Sequence, residues 1–167
     1  MRRRLGAPEE DILAVQCNLA NSYDLIGRLE EATRLRRGVY SARLKLDGEE
    51  DGETLRAANN LAGSLKQLRR FDETKSVLRK TIPVARRLLG EGDRITLTMR
   101  KIFADALYRD DDATPDDLRE AVTTLEDAAR IARRVLGGAH PLTMAIAYDL
   151  QKARAARAAR ETPSRSK

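Results

Sequence analysis

Aromatic residues are scarce: the 167-residue chain has no tryptophan, two phenylalanines and four tyrosines. A β-sandwich or barrel, which draws on aromatic and β-branched runs broken by frequent turns, is excluded by that poverty. Only five prolines interrupt the chain, and Ala, Leu, Arg and Glu, all good helix formers, dominate it. One cysteine, Cys17, leaves no internal disulfide and fits a reducing compartment. One histidine, His140, cannot build a Ser-His-Asp triad or a His-rich metal centre within one chain. No apolar run reaches the roughly 20 residues that a membrane span needs. The charged start Met-Arg-Arg-Arg-Leu-Gly has no apolar core behind it, so it is not a secretory signal. These absences predict a soluble, cytoplasmic, all-α chain with no catalytic residues, no metal and no cofactor.

The formal net charge of +6 invites a nucleic-acid reading. The excess, however, sits at the ends, in Arg2, Arg3 and Arg4 and in a final stretch holding Lys152, Arg154, Arg157, Arg160, Arg165 and Lys167. Residues 8–151 hold 23 basic and 25 acidic groups. A nearly neutral body is a poor phosphate-backbone surface, so nucleic-acid association through arginine-rich termini is the alternative reading and not the first.

What the chain has is a repeat. Leu61 lies 42 residues after Leu19 and 42 before Phe103, with Leu150 a further 47 on. Each of Leu19, Leu61 and Phe103 is followed by alanine, at Ala20, Ala62 and Ala104. Leu29 and Phe71 follow ten residues after Leu19 and Leu61, and Leu46 and Leu88 seventeen later. Gly48 and Gly90 close each unit. The third unit keeps these landmarks once five extra residues, Asp110-Asp111-Asp112-Ala113-Thr114, are allowed between its two helices, where a loop tolerates added length. Helical spacing places Leu55, Ala58, Leu61, Ala62 and Leu65 on one stripe, and Phe71, Val77, Leu78, Ile82, Ala85 and Leu88 on the next.

Asp51, Asp93 and His140 occupy equivalent positions just before a helix and are read as caps; Pro115 and Pro141 suit first helical turns. The units run about 8–50, 51–92 and 93–139, followed by a capping helix over 140–160, which together make a repeat domain over 8–160. A basic arm precedes it at 1–7, and a disordered tail follows at 161–167. Asp110-Asp111-Asp112 lacks the ligand spacing of a calcium loop and reads as a solvated turn. Unit one has no preceding cap, as a segment of a longer array would show.

The pattern resembles the tetratricopeptide repeat, in the 42-residue variety of kinesin light chains. The resemblance rests on Asn59-Asn60-Leu61-Ala62, Arg-Phe-Asp-Glu-Thr at 70–74, Leu89-Gly90 and Leu136-Gly137, and His140-Pro141-Leu142-Thr143. It departs at Ile12, where other units carry Thr54, Thr96 and Thr143, and no heptad region accompanies it. The resemblance implies a helical-hairpin solenoid, a right-handed superhelix of three hairpins plus a C-terminal helix, acting as a non-enzymatic protein-interaction scaffold. It also implies that first helices line a concave groove. Mapped onto this chain, the groove takes Ala14, Cys17, Asn21, Asp24 and Leu25 from unit one, and Arg56, Asn59, Gly63, Lys66 and Gln67 from unit two. Thr98, Lys101, Asp105, Tyr108 and Arg109 follow, then Ala145, Tyr148 and Lys152. Basic groups outnumber acidic ones there, which predicts an acidic peptide partner, held at its backbone by Asn21, Asn59 and Gln67, with Tyr108 and Tyr148 as apolar platforms. A chaperone-tail clamp is not expected: Asn21 and Asn60 match its asparagines, but Cys17, Thr98 and Ile102 stand at its cationic positions.

Overall fold

The computed structural model describes residues 7–161 as seven α-helices. They are α1 (Ala7–Leu25), α2 (Leu29–Leu46), α3 (Gly52–Gln67), α4 (Phe71–Leu88), α5 (Arg94–Tyr108), α6 (Pro115–Leu136) and α7 (Pro141–Glu161). The array is thus three hairpins and a last helix, as the spacing predicts. Ala7 and Glu161 are helical, so α1 and α7 each extend one residue past the expected repeat domain. The remainder of the expected arm and tail lies outside the described residues.

The helix starts follow from their caps. Asp51 accepts the amides of Glu53 at 2.8 Å and Thr54 at 3.2 Å, and Asp93 accepts that of Ile95 at 2.8 Å. His140 does the same for α7 through Nδ1, 3.1 Å from the Leu142 amide. Thr114 and Asp117 form a reciprocal capping box ahead of α6, with Pro115 in its first turn. At the other end of α4, Gly90 adopts φ 97° and returns its amide to the Ala85 carbonyl at 3.2 Å, a left-handed closure that a side chain would strain.

Every helix packs on its neighbours in sequence. In addition the backbone of α3 approaches that of α5, and α5 that of α7, whereas the backbones of α2, α4 and α6 stay apart from one another. Close-packed first helices and separated second helices bend the stack, with the first helices on the inner side. Fully buried Ala62 and Ala104 permit the close approach, and Leu55, Leu61, Leu65, Leu78, Leu97, Leu107, Leu118 and Leu125 fill the space between layers. On the outer side long ion pairs span the furrows: Arg37 to Glu73 at 2.7 Å between α2 and α4, and Arg79 to Glu120 at 3.2 Å between α4 and α6.

Two sequence expectations need correcting. Leu88, read as the end of the apolar stripe, is exposed, as are its counterparts Leu46 and Val135. The stripe of α4 runs instead through Leu78, Ala85 and Leu89, and that of α6 ends at Leu136, since a buried stripe advances by three or four residues and position 88 falls to its side. Leu19, the counterpart of Leu61, is also exposed: among the described residues no helix lies on α1 where α2 lies on α3.

Candidate functional site: a groove on the first helices

The inner face divides into two parts. Across α3, α5 and α7 it is a tight polar seam. Lys66 of α3 and Arg109, which caps the end of α5, both reach Asp105, at 3.4 and 3.3 Å, and Asp105 is only 3% exposed. Lys101 of α5 meets the buried Asp149 of α7 at 2.8 Å. Tyr108 sits half-buried in the same seam, where burial and then the charges of Asp105 and Asp149 push its phenol well above the ordinary value. Lys101 and Lys66 are therefore counter-ions of the fold. Each neutralises a carboxylate that the helix packing has taken out of water.

Between α1 and α3 the face opens. These helices do not touch, and a cleft of about 300 Å³ lies between them. Leu13, Val39 and Ala57 form its apolar floor. Asn18, Asn60, Arg43, Glu53 and Arg56 form its rim, and Cys17 lies on its wall as a free thiol. Alongside, Arg36 of α2 reaches inward to Asp24 at 2.5 Å and to the Asn21 side-chain oxygen at 2.9 Å. It also donates to Ser64 of α3. This guanidinium holds the two helices at their present separation.

Of the groove residues mapped from the sequence, the structure brings Lys66, Lys101, Asp105, Tyr108 and Arg109 into the seam. Arg56 stands at the cleft rim, paired with Glu53 at 3.3 Å. Asn21 and Gln67 are exposed on the inner side, and Asn59 is half-buried with its side-chain oxygen lacking a hydrogen-bond partner. Tyr148 and Lys152 are exposed at the far end, the ammonium 5.3 Å from the ring centroid. Sequence reasoning missed Asn18 and Asp149 as inner-face residues and named Asn60 only as the match to a clamp asparagine. All three occupy the position just before the central apolar residue, shared with Ile102, so the repeat register itself held the signal. Arg36 was missed because it comes from a second helix, where no inner-face role was expected.

The terminal arginines also have places. Arg154 pairs with Glu126 at 2.6 Å and Arg157 with Glu161 at 3.2 Å. Arg160 donates to the Asp111 carbonyl at 2.8 Å and to that of Ala113. The insertion is consequently no freely solvated turn: Asp110 binds Lys75 at 2.8 Å and Asp111 binds Arg69 at 3.0 Å. No cluster of acidic, histidine or cysteine side chains among the described residues is arranged to hold a metal ion. No described helix is long and apolar enough to cross a membrane.

With this geometry in place, comparison with known proteins becomes informative. Residues 54–94 match the family model of the tetratricopeptide repeat. That segment is similar to a tetratricopeptide repeat. It covers α3, α4 and the turn into α5, the unit with the most complete set of landmarks. The repeat's neighbours share its architecture: the fold is similar to the nearly identical TPR-like repeats described as a kinesin light chain of Podosopora anserina, with TM-score 0.73, 23% identity, and 95% of this chain and 73% of that chain covered. A variant of the same protein gives TM-score 0.79 at 22% identity, over 93% of this chain and 70% of that one. BtubC from P. vanneervenii is similar at TM-score 0.57 and 19% identity, over 99% and 71%. At such identities the likeness is one of fold. No curated protein matches the chain in sequence. The helical-hairpin repeat arrangement expected from the sequence is thus what the chain adopts.

Proposed function

We propose that the chain is a non-enzymatic scaffold that binds a segment of another protein, in extended form, along its inner face. The cleft between α1 and α3 carries this reading: it offers an apolar floor for one side chain and a rim of amides able to bond a peptide backbone. The tetratricopeptide repeat supports it, and so does the placement of His140, whose Nδ1 is occupied in capping α7. Acidic side chains in the partner would meet Arg56, Arg109 and Lys152, the groove cations that stand exposed. Lys66 and Lys101 are half-buried against Asp105 and Asp149 and contribute shape more than charge. The nucleic-acid alternative rests on Arg2–Arg4 and Arg165, outside the described residues, since Arg154, Arg157 and Arg160 have partners within the fold.

A random-peptide display selection on the full chain tests the proposal. Selected peptides should lose at least about tenfold in affinity, roughly 1.4 kcal/mol, on Asn60→Ala combined with Ala57→Arg, which fills the cleft floor. Arg56→Glu with Lys152→Glu should weaken acidic peptides more than neutral ones. Peptides that bind all variants equally would place recognition elsewhere on the molecule and overturn the reading.

A further inference from the structure

Two arginines of α6 lack the carboxylates that their counterparts in α4 possess. The last turns of these helices carry Arg86-Arg87 and Arg133-Arg134, in equivalent positions of the repeat. In α4 both are neutralised: Arg86 pairs with Glu91 in the turn that follows, and Arg87 with Glu50 in the turn before α3. One unit later those two glutamates become Gly138 and Gly92. Arg133 and Arg134 are exposed, and among the described residues neither side chain has an acidic partner. The helix dipole accounts for basic residues in a last turn, but not for the missing counter-ions.

Two further arginines meet them. A hollow of about 620 Å³ lies between the C-terminal half of α6 and the middle of α7, and Arg130 and Arg154 line it together with Arg133 and Arg134. Arg154 stands where α3 and α5 have the fully buried Leu65 and Leu107, and Arg130 where α4 has Pro83. Both are held in place by carboxylates: Glu126 meets Arg154 at 2.6 Å, and Asp127 meets Arg130 while also serving Arg100. Ala129 and Leu150 supply the apolar part of the wall, and Glu126 is its one acidic group. Four guanidiniums against one carboxylate leave the hollow strongly cationic. Residues 162–167 hold no acidic side chain to neutralise it.

We propose that this hollow binds a small polyphosphorylated molecule, with phosphoryl groups on Arg133 and Arg134 and on the facing Arg130 and Arg154. A carboxylate is planar and carries a single charge, which suits the pairs that Arg86 and Arg87 make. Guanidiniums arriving from two helices need acceptors on several sides and more than one charge, and a phosphoryl group offers three oxygens and nearly two charges. Arginine, with its fixed fork and weak hydration, suits that partner, and no lysine lines the hollow. Its volume lies within the range of small-ligand sites, with room for more than one phosphoryl group. The site shares no residue with the cleft between α1 and α3, so the two readings stand or fall separately.

Calorimetric titration of the full chain with inositol hexakisphosphate tests the proposal. One molecule should bind per chain, and Arg133→Ser with Arg134→Ser should weaken it at least about tenfold with an unchanged helical circular dichroism spectrum. Arg86→Ser with Arg87→Ser removes the same charge from the equivalent place on α4 and should leave binding unaltered. Gly138→Glu supplies to Arg133 the counter-ion that Glu91 gives Arg86, at a position where an added Cβ meets nothing within 4 Å. It should weaken binding with every arginine still present. Flotation with phosphatidylcholine vesicles carrying phosphatidylinositol bisphosphate distinguishes the two sources of such a ligand: co-flotation that depends on Arg133 and Arg134 assigns the site to a lipid headgroup, and calorimetric binding without it to a free phosphorylated metabolite. No saturable binding, equal losses for the α4 and α6 variants, or equally tight binding of citrate would overturn the proposal. Tighter binding of a single-stranded oligonucleotide through the same arginines would overturn it in favour of nucleic acid.

Discussion

Arg100 shows how one side chain can replace a packing contact with a charged one. It stands at the α5 position equivalent to Ala58 in α3, yet is only 6% exposed. Its guanidinium reaches Asp127 of α6 at 2.5 Å and Glu91, before α5, at 3.2 Å. The Asp127 carboxyl is held below the ordinary carboxylate range chiefly by that hydrogen bond. Because both carboxylates keep partial access to water, removing the cation does not strand them, and the cost comes mostly from the lost stem and hydrogen bonds. Arg100→Ala should therefore lower stability by about 2–3 kcal/mol, and Arg100→Met, which keeps the stem, by about half as much, in urea titrations. Equal losses for the two would mean that charge outweighs packing here.

At the scale of elements, the insertion before α6 is the part whose role was least apparent beforehand. Its length marked it as a tolerated loop, but Lys75, Arg69 and Arg160 fasten it to α4, to the preceding turn and to α7. Asp110 is held below its ordinary pKa by the hydrogen bond from Lys75, and Asp117 by that from Thr114. A lowered native value means that the stabilisation is complete above the unfolded carboxylate value near pH 4 and fades as pH falls through the native one. Asp110→Asn should cost about 1 kcal/mol at pH 7, and thermal melts of variant and parent should converge below about pH 3. Curves that stay parallel down to that pH would remove Asp110 from the acid transition. Spacing made the helices, caps and closing glycines legible, because those features are dictated locally or by the layer repeat. It did not reveal which charges pair. Asp105 and Asp149 look like solvated groove residues until the approach of α3, α5 and α7 encloses them, and Leu88 looks buried until the helix phase is resolved to a single residue.

For the whole molecule, the same contacts set an order of stability along the array. One core runs continuously from α3 to α7, while Leu13, Val39 and Ala57 form a separate small cluster that joins α1 and α2 to the rest. Among the described helices α1 packs on α2 alone, whereas α5 is covered by α3, α4, α6 and α7 and buries ten of its fifteen residues. In a stack whose units depend on their neighbours, opening begins where neighbours are fewest. Native-state hydrogen exchange should find the α1 amides exchanging through a local opening, with little dependence on denaturant, and the α5 amides only through global unfolding. The groove cleft lies at that weaker junction, so a bound peptide bridging α1 and α3 should slow exchange in α1 most and leave α5 unchanged until overall stability rises. Uniform protection from α1 to α7 would mean that the first hairpin is coupled to the core far more strongly than its contacts allow.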